Sequence, residues 1–119
     1  MDVMAPNDVV SVVTTVGNAQ DAQTLAQALV ERRLAACVQV EAGLVSHYRW
    51  NGQLQAEPEL RLTAKTLASR LPALEAFMAQ AHPYDTPQLT WQYVWASAAY
   101  AAWVAQELAP AGSGDPPIV

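Results

Sequence analysis

The stretch LVSHYRWNGQLQAEPELRLTAKT, residues 44–66, decides how this chain folds. Asn51-Gly52 at its centre is the pair best suited to the left-handed backbone of a two-residue hairpin turn, so the segments 44–50 and 54–66 are expected to run antiparallel to each other. On the returning side, Glu57, Glu59, Arg61 and Lys65 alternate with Pro58, Leu60, Leu62 and Ala64, which puts the four charges on one strand face. Pro58 has no N–H to give to a ladder and marks an edge or a bulge. The spacing therefore predicts a long, bent hairpin with one apolar face and one charged face.

Upstream, Val9–Val16 is too uniformly apolar and β-branched to be half exposed and reads as a central strand. Asn18, with Asp21 three residues on, offers a helix cap, and Ala22, Leu25, Ala26, Leu29 and Val30 recur at the spacing of one helical face. Residues 36–40 (ACVQV) follow as a separate strand before Gly43. Downstream of the hairpin, Ser69 is the expected cap of a second helix that carries Pro72 in its first turn. Leu71, Leu74, Phe77, Met78 and Ala81 form its buried face, and His82-Pro83 ends it.

Residues 86–106 carry no charge, a length that raises the question of a membrane span. Gln88, Gln92, Ser97 and Gln106 argue against one. Leu89, Trp91, Tyr93 and Trp95 alternate as in a strand, after which Tyr100, Trp103, Val104 and Leu108 take helical spacing behind Ser97. The order β, α, β, β, α, β plus a terminal helix is the split βαβ arrangement of a ferredoxin-like α+β fold, an antiparallel sheet with two helices on one face. One domain over residues 1–108 is expected, with 1–8 as a short arm and 109–119, rich in Pro, Gly and Ser, as a flexible tail.

The chain has 119 residues, a formal charge of −5 and a pI near 4.7, which opposes binding to a phosphate backbone and argues against nucleic acid as a partner. Cys37 is the sole cysteine, so there is no disulfide framework within the chain and no four-cysteine zinc site. With no basic region in MDVMAPND, a reducing cytoplasmic setting is the expectation. A two-layer domain would leave Tyr48, Trp50, Trp91, Tyr93 and Trp95 on an uncovered sheet face, and a closed cyclic homo-oligomer would cover it.

Few side chains can carry chemistry. Cys37, His47 and His82 are the nitrogen and sulfur donors, and no metal-ligand spacing links them. Cys37 reads either as a small buried thiol or as a ligand. His47 reads as a surface histidine. His82 opens the corner HPYDTP and is either a helix-end cation or a binding residue. The charged strand face is either solvated or part of a polar cleft in which Glu57 and Lys65 meet His82 between subunits. No arrangement supports an enzyme: a Cys37–His82 dyad would need an exposed, acidified thiol inside an apolar strand.

Taken in order, Leu34-Ala35-Ala36-Cys37, Tyr48-x-Trp50-x-Gly52, Glu57, Lys65-Thr66, His82-Pro83-Tyr84 with Pro87, and Tyr100-x-x-Trp103 resemble the CutA family of divalent-cation tolerance proteins. The resemblance implies a ferredoxin-like subunit in a tight, PII-like homotrimer, and a non-enzymatic role in tolerance of copper and other divalent cations. It implies that Cys37, Glu57, Lys65, Trp50, His82 and Tyr84 line or approach inter-subunit clefts. A weakly bound Cu or other divalent cation would take His82, Cys37 and Glu57 as ligands, with no organic cofactor. Two departures stand out: Thr14 where some relatives have cysteine, and Gln88 where Glu is common. The alternative implied by the PII-like architecture is a signalling or scaffolding trimer that holds a small anion against Lys65.

Overall fold

The computed structural model describes residue 5 and residues 7–110. Strand β1 (Val9–Val16) is buried along almost its whole length, which explains its lack of polar alternation: it lies inside a four-stranded sheet of order β2-β3-β1-β4. It pairs antiparallel with β3 (Gln53–Leu67) from Val9↔Leu67 to Val16↔Leu60, and with β4 (Thr90–Tyr93) from Val10↔Tyr93 to Val13↔Thr90.

Helix α1 (Ala19–Glu31) starts where the sequence places it. Asn18 is extended; its side-chain oxygen accepts the Asp21 N–H at 2.8 Å and its amide donates to the Asp21 carboxylate at 3.0 Å. Asn18→Ala is expected to lower stability by about 1 kcal/mol, read from the urea midpoint. Ala22, Leu25 and Leu29 are buried, whereas Val30 rotates out to 43% exposure. The helix closes in a Schellman motif, with Leu34 N–H donating to Leu29 C=O and Arg33 N–H to Val30 C=O. Arg33 stands at φ 56 where glycine is usual, and its side chain reaches across to donate to the Glu107 carbonyl at 2.6 Å.

The strands expected separately at 36–40 and 44–50 are one strand, β2 (Cys37–Trp50), with a register shift between Glu41 and Leu44. Gly43 at φ +89 lets the chain bulge there and resume pairing, so the glycine bends the strand rather than ending it. At the tip Asn51 (φ 52) and Gly52 (φ 76) both take the left-handed conformation the turn requires. Pairing of β3 with β1 ends at Leu60, and β2 and β3 continue beyond it as a two-stranded arm. Pro58, opposite Val45, lies in that arm, where β3 has no second neighbour and the missing N–H costs no bond to β1.

A 3-10 turn (Ala68–Arg70) leads into α2 (Leu71–Ala81). Ser69 therefore does not cap the helix: Arg70 occupies the cap position without a side-chain bond, and Pro72 sets the first turn. Leu71, Leu74 and Met78 are buried, Phe77 is half-buried beneath the Arg32 guanidinium, and Ala81, expected inside, is exposed. β4 keeps only four residues of the expected alternating run, and Trp95 lies fully exposed beyond it. Helix α3 (Ala98–Leu108) begins at Ser97, whose hydroxyl accepts the Tyr100 N–H at 3.1 Å. Its last carbonyls, of Glu107 and Leu108, take the guanidiniums of Arg33 and Arg70.

Helices α1 and α2 bury Val10, Val12, Val16, Leu62 and Ala64 against Leu25, Leu29, Leu74 and Met78. Val9 and Leu67 point the other way and meet Val104 and Leu108, so α3 covers one end of the opposite face and leaves the rest open. No helix among the described residues is long and apolar enough to cross a membrane. The expected N-terminal arm falls partly, and the tail beyond residue 110 wholly, outside the described residues.

Candidate functional site

His82 ends α2 in an extended conformation, and the residue is 7% exposed. Nδ1 accepts the backbone N–H of Tyr84 at 3.1 Å, while Nε2 lies 3.0 Å from the Thr15 carbonyl oxygen and 3.0 Å from the Thr14 hydroxyl. A carbonyl only accepts, so Nε2 carries the proton and Nδ1 does not. Burial pushes the His82 pKa down, opposed by the Thr15 carbonyl and by the charges of Asp21 and Glu59. The ring is thus a neutral brace between β1 and the corner, in place of the helix-end cation that its sequence position allows.

That brace aims Tyr84. Its ring lies 5.0 Å from the His82 ring, and its hydroxyl donates to Glu59 Oε2 at 2.7 Å. Ser46 donates to the other oxygen, Oε1, at 2.6 Å, so the carboxylate is held in one orientation by hydroxyls from two elements. Burial, and then the Glu59 carboxylate, hold the Tyr84 hydroxyl protonated well above the ordinary phenol range. A Cβ on Gly17 would come within 3.2 Å of that hydroxyl, so the turn after β1 stays glycine where the tyrosine passes. Between arm and corner lies an open cleft of about 720 Å³. Ser46, Tyr48, Trp50 and Glu59 of the arm face Tyr84 and Asp85 across it, with Gln88 at the same border.

In comparison with known proteins, residues 10–107 fit the family model described as CutA1 divalent ion tolerance protein. The chain belongs to the CutA1 family. It is 44% identical over 78 residues to the divalent-cation tolerance protein CutA of Thermus thermophilus, covering 66% of this chain and 76% of that one. Against mouse Protein CutA it is 36% identical over 84 residues, 71% of this chain but 48% of the longer relative. Among solved structures, CutA from Xylella fastidiosa superposes with a TM-score of 0.82 at 32% identity, covering 85% of this chain and 98% of that one. CutA from Synechococcus elongatus gives 0.81 at 36%, covering 89% and 94%.

Within this CutA1 chain the residues singled out from sequence separate into two places. Trp50 and Tyr84 line the cleft, and His82 supports it from behind. Glu57 pairs with Ser46 across the arm and is exposed, outside the cleft lining. Glu59, one step along the same strand face, supplies the carboxylate. Cys37 and Lys65 are cross-strand partners, in one row with Ser11 toward the end of the sheet that α3 covers. Cys37 is half-buried there, less enclosed than its apolar strand suggests, and Lys65 is not part of the cleft. His82, Cys37 and Glu57 are therefore not gathered within one subunit, and among the described residues no three His, Cys, Asp or Glu side chains form a metal-sized group. Arg61 pairs with Glu41 at 3.0 Å in an exposed bridge, which lowers the Glu41 pKa and raises that of Arg61, the solvated reading of the strand charges.

The part that sequence reasoning missed is the set Glu59, Ser46, Thr14 and Thr15. Glu59 shares its strand face with Glu57, and the bulge at Gly43 sets the β2 register that brings the Ser46 hydroxyl to it.

Proposed function

We propose that this chain serves the divalent-ion tolerance for which the CutA1 family is named, as a non-enzymatic homotrimer that takes up a divalent cation weakly and exchangeably at its clefts, a neighbouring subunit completing the donor set. The observation that carries this reading is the charge of the cleft: Glu59 and Asp85 line it and no lysine or arginine does. Carboxylate and hydroxyl oxygens with the exposed imidazole of His47 at the border make a hard-to-borderline donor set, suited to Zn(II) or Cu(II) more than to Cu(I), which favours sulfur. Cys37 lies outside the cleft and Thr14 offers no thiol. The small-anion alternative draws no support, since Lys65 is elsewhere and the lining is acidic.

Two features support the trimer. Among the described residues β2 and β4 are the sheet edges; the arm exposes Tyr48, Trp50 and Leu54, and Trp91 of β4, which pairs with Val12 and so lies on the helix side of the sheet rather than on the open face expected for it, is exposed at the β4 edge. A cytoplasmic location belongs to the same proposal, resting on the absence of paired cysteines. Native mass spectrometry with added zinc and copper tests assembly and uptake together. The expected result is a trimer with about one exchangeable ion per subunit, lost in the Glu59→Gln/Asp85→Asn double variant. A monomer, or a trimer that stays metal-free in excess metal, would overturn the proposal.

A further inference from the structure

The arm has little within itself to set its direction. β3 pairs with β1 only as far as Leu60↔Val16, and from Leu44↔Glu59 to Trp50↔Gln53 it pairs with β2 alone. Two strands without a third neighbour are marginal by themselves and twist more strongly than the sheet they leave. At the base, the register shift between Glu41 and Leu44 puts Gly43 at φ +89, where a Cβ would meet nothing within 4 Å. No packed neighbour wedges the bend at that glycine.

The tie to the body comes from the corner instead. His82 Nε2 donates to the Thr15 carbonyl of β1, its Nδ1 accepts the Tyr84 N–H, and the Tyr84 hydroxyl donates to Glu59. Glu59 is the residue next to Leu60, so the bond lands where pairing with β1 gives out. Ser46 of β2 donates to the other carboxylate oxygen, and both arm strands thereby meet the corner at one side chain. Burial, and then the Glu59 charge, keep the phenol protonated, so it donates across the ordinary pH range.

We propose that Tyr84 is a positioning residue for the arm: its hydroxyl latches Glu59 and holds the two-stranded extension at one angle to the sheet, the angle at which a second copy of this chain meets it. β2 is a sheet edge along its whole length, so the angle of the arm decides where that edge points. An arm already held at its docking angle loses less freedom when a neighbour takes it. The part played by a second copy rests on the homotrimer proposed above; the latch itself does not.

Hydrogen exchange and sedimentation of the full chain in EDTA test this with Tyr84→Phe, which keeps the ring and removes only the donor. Amides of the arm are expected to exchange about fivefold faster than in the parent, with those of β1 and α1 unchanged. Every subunit of a trimer carries the latch, so the concentration of half-dissociation, read in moderate guanidinium, should rise about tenfold. In a Glu59→Ala background, Tyr84→Phe should add nothing further to either readout. Unchanged arm exchange, an equal rise in β1 and α1, or additive effects of the two substitutions would overturn the latch. Faster arm exchange with an unshifted dissociation would overturn its bearing on assembly. A monomeric parent removes the trimer alone, and arm exchange then still decides the latch.

Discussion

Replacing His82 by alanine is expected to lower stability by about 3 kcal/mol, because it strands three buried or half-buried partners at once. The Tyr84 N–H, the Thr15 carbonyl and the Thr14 hydroxyl all meet one ring. With the ring gone, the corner also loses what aims Tyr84 at Glu59, so the cleft should loosen along with the fold. The urea midpoint measures the first effect; a loss below about 1 kcal/mol, the range of an ordinary surface change, would show that the brace is not structural. The pH dependence has a definite sign. Burial holds the folded pKa of His82 below its ordinary 6.5, so the unfolded chain takes up the proton more readily than the folded one. Stability should therefore fall as pH drops through about 6.5 and level off once pH is below the folded value. His82→Gln, which cannot titrate, should lose that slope between pH 7.5 and 5.5; an equal slope in both proteins would assign it to other groups.

Leu62→Ala should be comparably damaging, at about 3 kcal/mol, for a different reason. Leu62 is 1% exposed in β3, between Thr14 of β1 and Val40 of β2, and belongs to the cluster that α1 and α2 close from above. Strands on both sides fix the backbone, so the site cannot collapse around the missing methyls, and the cavity adds to the lost transfer energy. Against a total stability of about 5–15 kcal/mol for a domain, this approaches the point where the chain no longer folds fully. Guanidinium unfolding checks it; a loss under about 1.5 kcal/mol would mean that the sheet repacks, as volume-conserving swaps allow.

Much of this fold is legible because local chemistry and tertiary need agree. Asn18 with Asp21, Ser97, and Asn51-Gly52 each satisfy backbone groups where the chain must turn, and residues near them suffice to see it. The alternation from Leu60 to Thr66 survives because both faces of β3 have defined surroundings. Ser69 misleads for the opposite reason: a 3-10 turn inserted before α2 moves the helix start past it, and that turn answers to packing at the end of β3. Gly43 reads as a strand end because glycine at positive φ serves a bulge and a turn equally well. In the site, Trp50, Tyr84 and His82 are recognisable by their surroundings in sequence. Glu59 is not separable from Glu57 without the register, and the partners of the His82 ring lie 67 and 68 residues away in β1.

The grip on α3 bears on the order in which the chain assembles. Arg33 and Arg70 reach carbonyls 74 and 38 residues further along the sequence, and Val104 and Leu108 settle on Val9 and Leu67 only where β1 and β3 already lie side by side. These contacts are distant in sequence, unlike the Ser97 cap, and loop closure must come before any of them rewards it. The terminal helix is therefore expected to dock late, onto a sheet that has already formed, so that removing its arginine anchors should speed unfolding more than it slows folding.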